Sequence, residues 1–163
     1  MARRAPPERL HDRRWRAYSR RLPIPPRVPS RIFVLVQWTS DPRPGNGGPY
    51  LVQLDPGYRD THRLIQQAWG NSWGVLIRSE TSLKKLRRHL REFLVVRDTK
   101  GTRMAFRYYD PRVLRVDLST CVTAELRTVF GPIDCFWMES ESPEYMLDFR
   151  VHNGALDQQT VRL

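Results

Sequence analysis

Strands and helices alternate along this sequence and strands predominate towards its end, an order that predicts a single α/β (α+β) domain with a mixed β-sheet flanked by helices. Three observations carry that class. Ile32 to Val36 is an unbroken β-branched and aromatic run of strand length. Leu83, Leu86, Leu90 and Phe93 or Leu94 recur at helical spacing among Lys84, Lys85, Arg87, Arg88 and Arg91. Turn chemistry such as Asp41-Pro42-Arg43-Pro44-Gly45 separates the segments.

The elements follow in order. After the Ile32–Val36 strand and a loop through Gly48, Tyr50–Leu54 reads as a second strand closed by Asp55-Pro56-Gly57. Asp60 or Thr61 caps a helix whose apolar face is Leu64, Ile65, Ala68 and Trp69, and Gly70 suits the left-handed position beyond its end. Trp73–Ile77 is a third strand. Ser79 or Thr81 then caps the basic helix, which runs to about Phe93. Leu94–Val96 and Met104–Tyr108 form a hairpin through Asp98-Thr99-Lys100-Gly101. Asp110-Pro111 places a capping acid before a proline, a helix start. A further helix at about Thr123–Phe130 buries Val122, Leu126, Val129 and Phe130 and stops at Gly131-Pro132. Two strands, Ile133–Trp137 and Tyr145–Val151, close the chain around an acidic loop.

The charge is unevenly placed. Residues 1–30 hold nine arginines against Glu8 and Asp12, which is +7 of the chain's +11, so residues 31–163 carry only +4. The expected organisation is therefore an Arg/Pro-rich basic leader, 1–30, and a folded domain, 31–163. Six prolines stiffen the leader, and Glu8–Leu22 places Leu10, Tyr18 and Leu22 on one side of a short helix. Such an arm suits nucleic acid, an anionic surface, an acidic partner or plain solvation. No run approaches the ~18–20 apolar residues of a membrane span, and the basic start lacks the apolar core of a signal peptide. A cytoplasmic location is expected. Cys121 and Cys135 lack C-x-x-C spacing and read as buried free thiols.

No nucleophile elbow, H-E-x-x-H pair or phosphate loop occurs; Pro49 stands where a phosphate loop after Gly45-Asn46-Gly47-Gly48 needs lysine. His62 and His89 lie on helices without a second ligand at i+3 or i+4, so no metal is expected. Asp134, Glu139, Glu141, Glu144 and Asp148 gather near an exposed loop, where solvated acids or ion pairs outweigh metal binding and acid–base catalysis. No cofactor is implied, and the chain is expected not to be an enzyme.

Phe106-Arg107-Tyr108-Tyr109-Asp110-Pro111-Arg112-Val113-Leu114 is the most distinctive stretch. Read as a strand entering a helix, it puts Phe106 and Tyr108 on one side and Arg107 and Tyr109 on the other, with Asp110 within ion-pair reach of Arg107 and Arg112. This segment resembles the signature of the effector adaptors (chaperones) of bacterial type VI secretion systems, long classed as a domain of unknown function. Gly48–Leu54, Trp69–Gly74, Leu86–Leu94 and Phe130-Gly131-Pro132 are similar to further pieces of that family in the same order, over about residues 48–137. The resemblance implies a non-enzymatic protein that binds a secreted effector and assists its loading onto the VgrG/PAAR spike. It also implies a shortened member, the first lobe only, because such adaptors continue into a second, helical lobe. The candidate partner-binding residues are Arg107, Tyr108, Tyr109, Asp110 and Arg112 at the corner, the tryptophans Trp69 and Trp73, and Arg87 and Arg88 on the basic helix. The alternative is a basic nucleic-acid-binding or anionic-surface-binding protein acting through the leader.

Overall fold

The computed structural model describes residues 31–37, 49–55, 58–97 and 100–163. The expectations for the leader, the glycine-rich loop and the turns at Pro56-Gly57 and Asp98-Thr99 lie outside the described residues. Among the described residues eight strands and four helices follow in order: β1 (Arg31–Gln37), β2 (Pro49–Leu54), α1 (Arg59–Ala68), β3 (Gly74–Ser79), α2 (Leu83–Arg91), β4 (Val95–Arg97), β5 (Arg103–Ala105), α3 (Pro111–Thr120), α4 (Thr123–Phe130), β6 (Cys135–Glu139), β7 (Tyr145–His152) and β8 (Ala155–Arg162). Six strands make one sheet in the order β2-β1-β3-β6-β7-β8, and β4-β5 is a separate hairpin. The expected α+β class is the observed one. Every pairing in the six-stranded sheet is antiparallel, and its strand order departs from chain order.

The two faces of the sheet bury different sets of residues, as the period-two alternation of strands requires. Phe33, Leu35, Val75, Ile77, Phe136, Met138 and Phe149 share one cluster with Leu86 and Leu90 of α2, Leu114 and Leu118 of α3, and Leu126 and Phe130 of α4. Ile32, Val34, Val36, Leu76, Cys135 and Trp137 form the other with Ile65 of α1. All five residues of β6 are buried, because a strand between two covered faces has no solvent side.

Several boundaries differ from the sequence reading, each for a local reason. The last strand, β8, was not expected. It pairs with β7 from Tyr145↔Arg162 to His152↔Ala155 across a two-residue turn. Asn153 and Gly154 both take positive φ there, +51° and +79°, the conformation in which an Asn-Gly pair joins two strands. Polar and weakly buried residues along β8 hid it, while the Asn-Gly dipeptide was the signal that could have found it. Strand β6 begins two residues later than expected because Ile133 still closes the α4 turn, its N–H donating to the Phe130 carbonyl at 2.7 Å. The cap of α2 is Ser82 rather than Ser79 or Thr81; its hydroxyl accepts from the Lys85 N–H. Val122 is 62% exposed rather than buried, since it precedes α4 as its cap residue. Gly70 does take the left-handed φ of +80°.

Candidate functional site

The signature segment is a turn and not a strand. β5 ends at Ala105, and the Asp110 N–H closes onto the Arg107 carbonyl at 2.9 Å. Both tyrosines consequently enter the same core instead of opposite faces: Tyr108 is 4% and Tyr109 8% exposed, with rings edge-to-face at 6.1 Å. The Tyr108 hydroxyl donates to the Leu90 carbonyl at 2.8 Å, tying the turn to α2. Burial, followed by the neighbouring Tyr109, pushes this phenol well above its ordinary pKa.

Asp110 caps α3. Its carboxylate accepts the Arg112 N–H at 2.9 Å and receives the Arg112 guanidinium bidentately, at 2.9 and 2.6 Å. These bonds, the Arg112 side chain first, hold the buried acid below the usual aspartate range. Arg112 itself stays exposed. Among the described residues Arg107 is exposed and makes no ion pair with Asp110, so Arg112 alone closes the expected pair.

A second corner joins α1 to β3. Trp69 donates its indole N–H to the Pro143 carbonyl at 2.9 Å, and Trp73 remains 38% exposed. Glu139 holds this turn: its carboxylate accepts the N–H groups of Gly70 and Ser72 and the Ser72 hydroxyl, the latter two at 2.7 and 2.8 Å. Glu139 is 6% exposed at the end of β6, which corrects the exposed-loop expectation for this acid. Asp148 is likewise buried on β7, paired with Arg150 at 2.8 Å. Glu141 fits the expectation, on the loop beyond β6 with its side chain 90% exposed and 3.6 Å from Arg115 of α3. The two corners therefore adjoin: Arg115 reaches the loop that Trp69 grips, and the Glu139 charge acts on Arg112.

The basic helix, tied to the signature turn through Tyr108, forms a groove with the edge of the sheet. Among the described residues β2 is an edge strand, and α2 lies beside it on the face that α3 and α4 also cover. Between them is an open groove of about 470 Å³. Leu35, Pro49, Tyr50 and Leu51 line it from the sheet, and Leu83, Arg87, Leu90, Arg91 and Leu94 from the helix and its end. Tyr108 closes it from the signature turn. Leu86 and Leu90 are buried as expected, but Leu83, in the first turn of α2, is 39% exposed where it lines the groove.

Of the nine candidate residues, the structure thus places Arg87 and Tyr108 on the groove and Arg88 on the same helix. Trp69, Trp73, Asp110 and Arg112 belong to the adjoining corners, Tyr109 to the core, and Arg107 to the surface. Sequence reasoning missed the groove itself, since Leu83 and Leu51 read as ordinary core positions. An amphipathic pattern records which face of a helix is apolar, not whether that face meets a sheet along its whole length.

Groups expected to stay inert are tied into the fold. His89 bonds through Nε2 to the Val129 carbonyl at 2.9 Å and packs edge-to-face on Phe93 at 5.1 Å. Cys135 is a buried free thiol as expected, whereas Cys121 is only half-buried; burial pushes the former up to about 12 and the latter up to about 11, so both stay protonated near neutral pH. Among the described residues no three His, Cys, Asp or Glu side chains are grouped to hold a metal ion, and no helix is long and apolar enough to cross a membrane.

The family model that matches the chain is described as a domain of unknown function, DUF4123, and it spans residues 11–128, beginning within the basic leader. No curated protein and no solved structure matches.

Proposed function

This chain belongs to the DUF4123 family, and from that membership we propose that it is a non-enzymatic adaptor that binds a type VI secretion effector and assists its loading onto the VgrG/PAAR spike. One observation supports this reading above the others. Three of the segments that resemble adaptor sequences, 48–54, 86–94 and 106–114, contribute Pro49, Tyr50 and Leu51, then Arg87, Leu90, Arg91 and Leu94, then Tyr108 to a single groove. Segments far apart in the chain converge on an exposed concavity with an apolar floor and a cationic rim, the composition of a surface that holds another protein. The buried carboxylates, meanwhile, are engaged by the fold: Glu139 by a turn, Asp110 by a helix cap and Asp148 by Arg150.

The reading is tested by co-purifying the full chain with the effector and spike proteins encoded by neighbouring genes. A complex with either is expected; a complex with neither overturns it. The competing use of the basic leader predicts DNA binding that weakens steeply with salt and disappears when residues 1–30 are replaced by a neutral sequence.

A further inference from the structure

Resting on the adaptor reading above, we propose that the β2–α2 groove receives a segment of the partner protein in which leucine-like side chains are flanked by Asp or Glu carboxylates. Floor and rim of the groove make different demands. The floor is apolar: Leu90 is 3% and Tyr108 4% exposed, and Leu51 and Leu94 pack at the margin of the core. Leu83 adds an apolar side chain that the fold leaves 39% exposed. The rim is cationic. Arg87 and Arg91 stand four residues apart on α2, so they project from the same side of the helix, one above the other.

Lys84, Lys85 and Arg88 reinforce that charge, and α2 contains no acid. Among the described residues no carboxylate lies within ion-pair distance of any of the five cations, whereas Arg78, Arg112, Arg115 and Arg150 each have one. Among the described residues, therefore, the five cations of the helix that borders the groove make no ion pair. Such an arrangement lowers the stability of the isolated chain slightly and favours an acidic ligand, most strongly one whose carboxylate meets a guanidinium bidentately.

Other chemistries meet only half of these demands. A nucleic-acid backbone would neutralise the arginines and leave the leucines facing water. A wholly apolar segment would cover the leucines and strip water from the arginine heads without replacing it. An apolar-and-acidic segment satisfies both. The groove is open, and no strand among the described residues pairs with the outer side of β2, so a chain segment has room to run along it. A volume of about 470 Å³ accommodates a few side chains, which makes this an anchoring contact within a larger interface.

The test uses the full chain and fluorescent synthetic peptides built from leucine and glutamate, with lysine-for-glutamate and serine-for-leucine counterparts and a short DNA duplex. The leucine–glutamate peptide is expected to bind, more weakly at high salt, and both counterparts to lose binding. The double variant Arg87→Glu/Arg91→Glu is expected to weaken the peptide about tenfold or more, and Arg87→Gln/Arg91→Gln to weaken it less, both with unchanged circular dichroism. Equal binding of the lysine peptide, or indifference to both arginine variants, overturns the proposal. Duplex DNA that binds more tightly than the peptide and is lost in the same variants also overturns it and assigns the face to nucleic acid. The adaptor reading is scored separately by co-purification. A complex with effector or spike that survives Arg87→Glu/Arg91→Glu and Leu83→Asp removes the groove and leaves the adaptor; peptide binding without any such complex removes the adaptor and leaves the groove.

Discussion

The α3 corner and the β2–α2 groove are built from similar residues, arginines beside tyrosine and leucine, yet one is closed and the other open. At the corner, Asp110 lies under Arg112, Tyr109 is buried and Pro111 starts a helix that sinks Leu114 and Leu118 into the core. In the groove, Arg87 and Arg91 form no ion pair among the described residues and Leu83 keeps much of its surface in water. Where a guanidinium finds its carboxylate within the chain it secures the fold. Where it finds none beside exposed apolar surface, both charge and surface remain for something else to cover.

The sharpest way to break this contrast is to remove leucines from each side. Leu114→Ala, at 1% exposure, is expected to cost about 2–5 kcal/mol of unfolding free energy in urea. Leu83→Ala, from a position 39% exposed, should cost under about 1 kcal/mol. Equal losses would mean that the groove is filled in solution.

Asp110→Ala removes a helix cap and should cost about 1–2 kcal/mol. Its charge gives the corner a pH dependence of defined sign. The folded pKa of Asp110 lies below its ordinary value of 3.8, so its ionised form stabilises the protein at pH values above 3.8. That contribution is lost as pH falls below 3.8 through the lowered folded value. Asp110→Asn should therefore be less stable than the parent near neutral pH, and the difference should shrink in acid; a gap that stays constant would remove the charge from the account.

Tyr108 belongs to both regions, and Tyr108→Phe separates its hydroxyl from its ring. Losing the bond to the Leu90 carbonyl should cost about 1 kcal/mol, visible as a lower urea midpoint at unchanged slope. The smallest effect on folding is expected from Arg87→Gln/Arg91→Gln, within about 0.5 kcal/mol of the parent, because both side chains are exposed. A large loss there would show that these arginines serve the fold after all.

Much of the framework was legible in the sequence because it depends on short-range rules. The β1 run, the Asp110-Pro111 start of α3, the left-handed Gly70 and the Leu86/Leu90 stripe are set by propensity, capping and periodicity, which act over a few residues. The boundary of β6 and the existence of β8 were harder: one depends on how the α4 turn closes, the other on pairing that polar side chains do not announce.

The site was less legible than the fold. The chain by itself determined that Asp110-Pro111 starts a helix and that Lys84, Lys85, Arg87, Arg88 and Arg91 surround the leucine stripe of another. Only the tertiary structure decided that both tyrosines point inward, that Glu139 is a buried clasp for the Trp69–Trp73 turn, and that α2 and β2 leave a groove between them. The physical reason is that burial and ion pairing are properties of where elements meet. A leucine–arginine helix has the same local pattern whatever lies under it, and among the described residues the antiparallel order β2-β1-β3 puts an edge of the sheet beside α2.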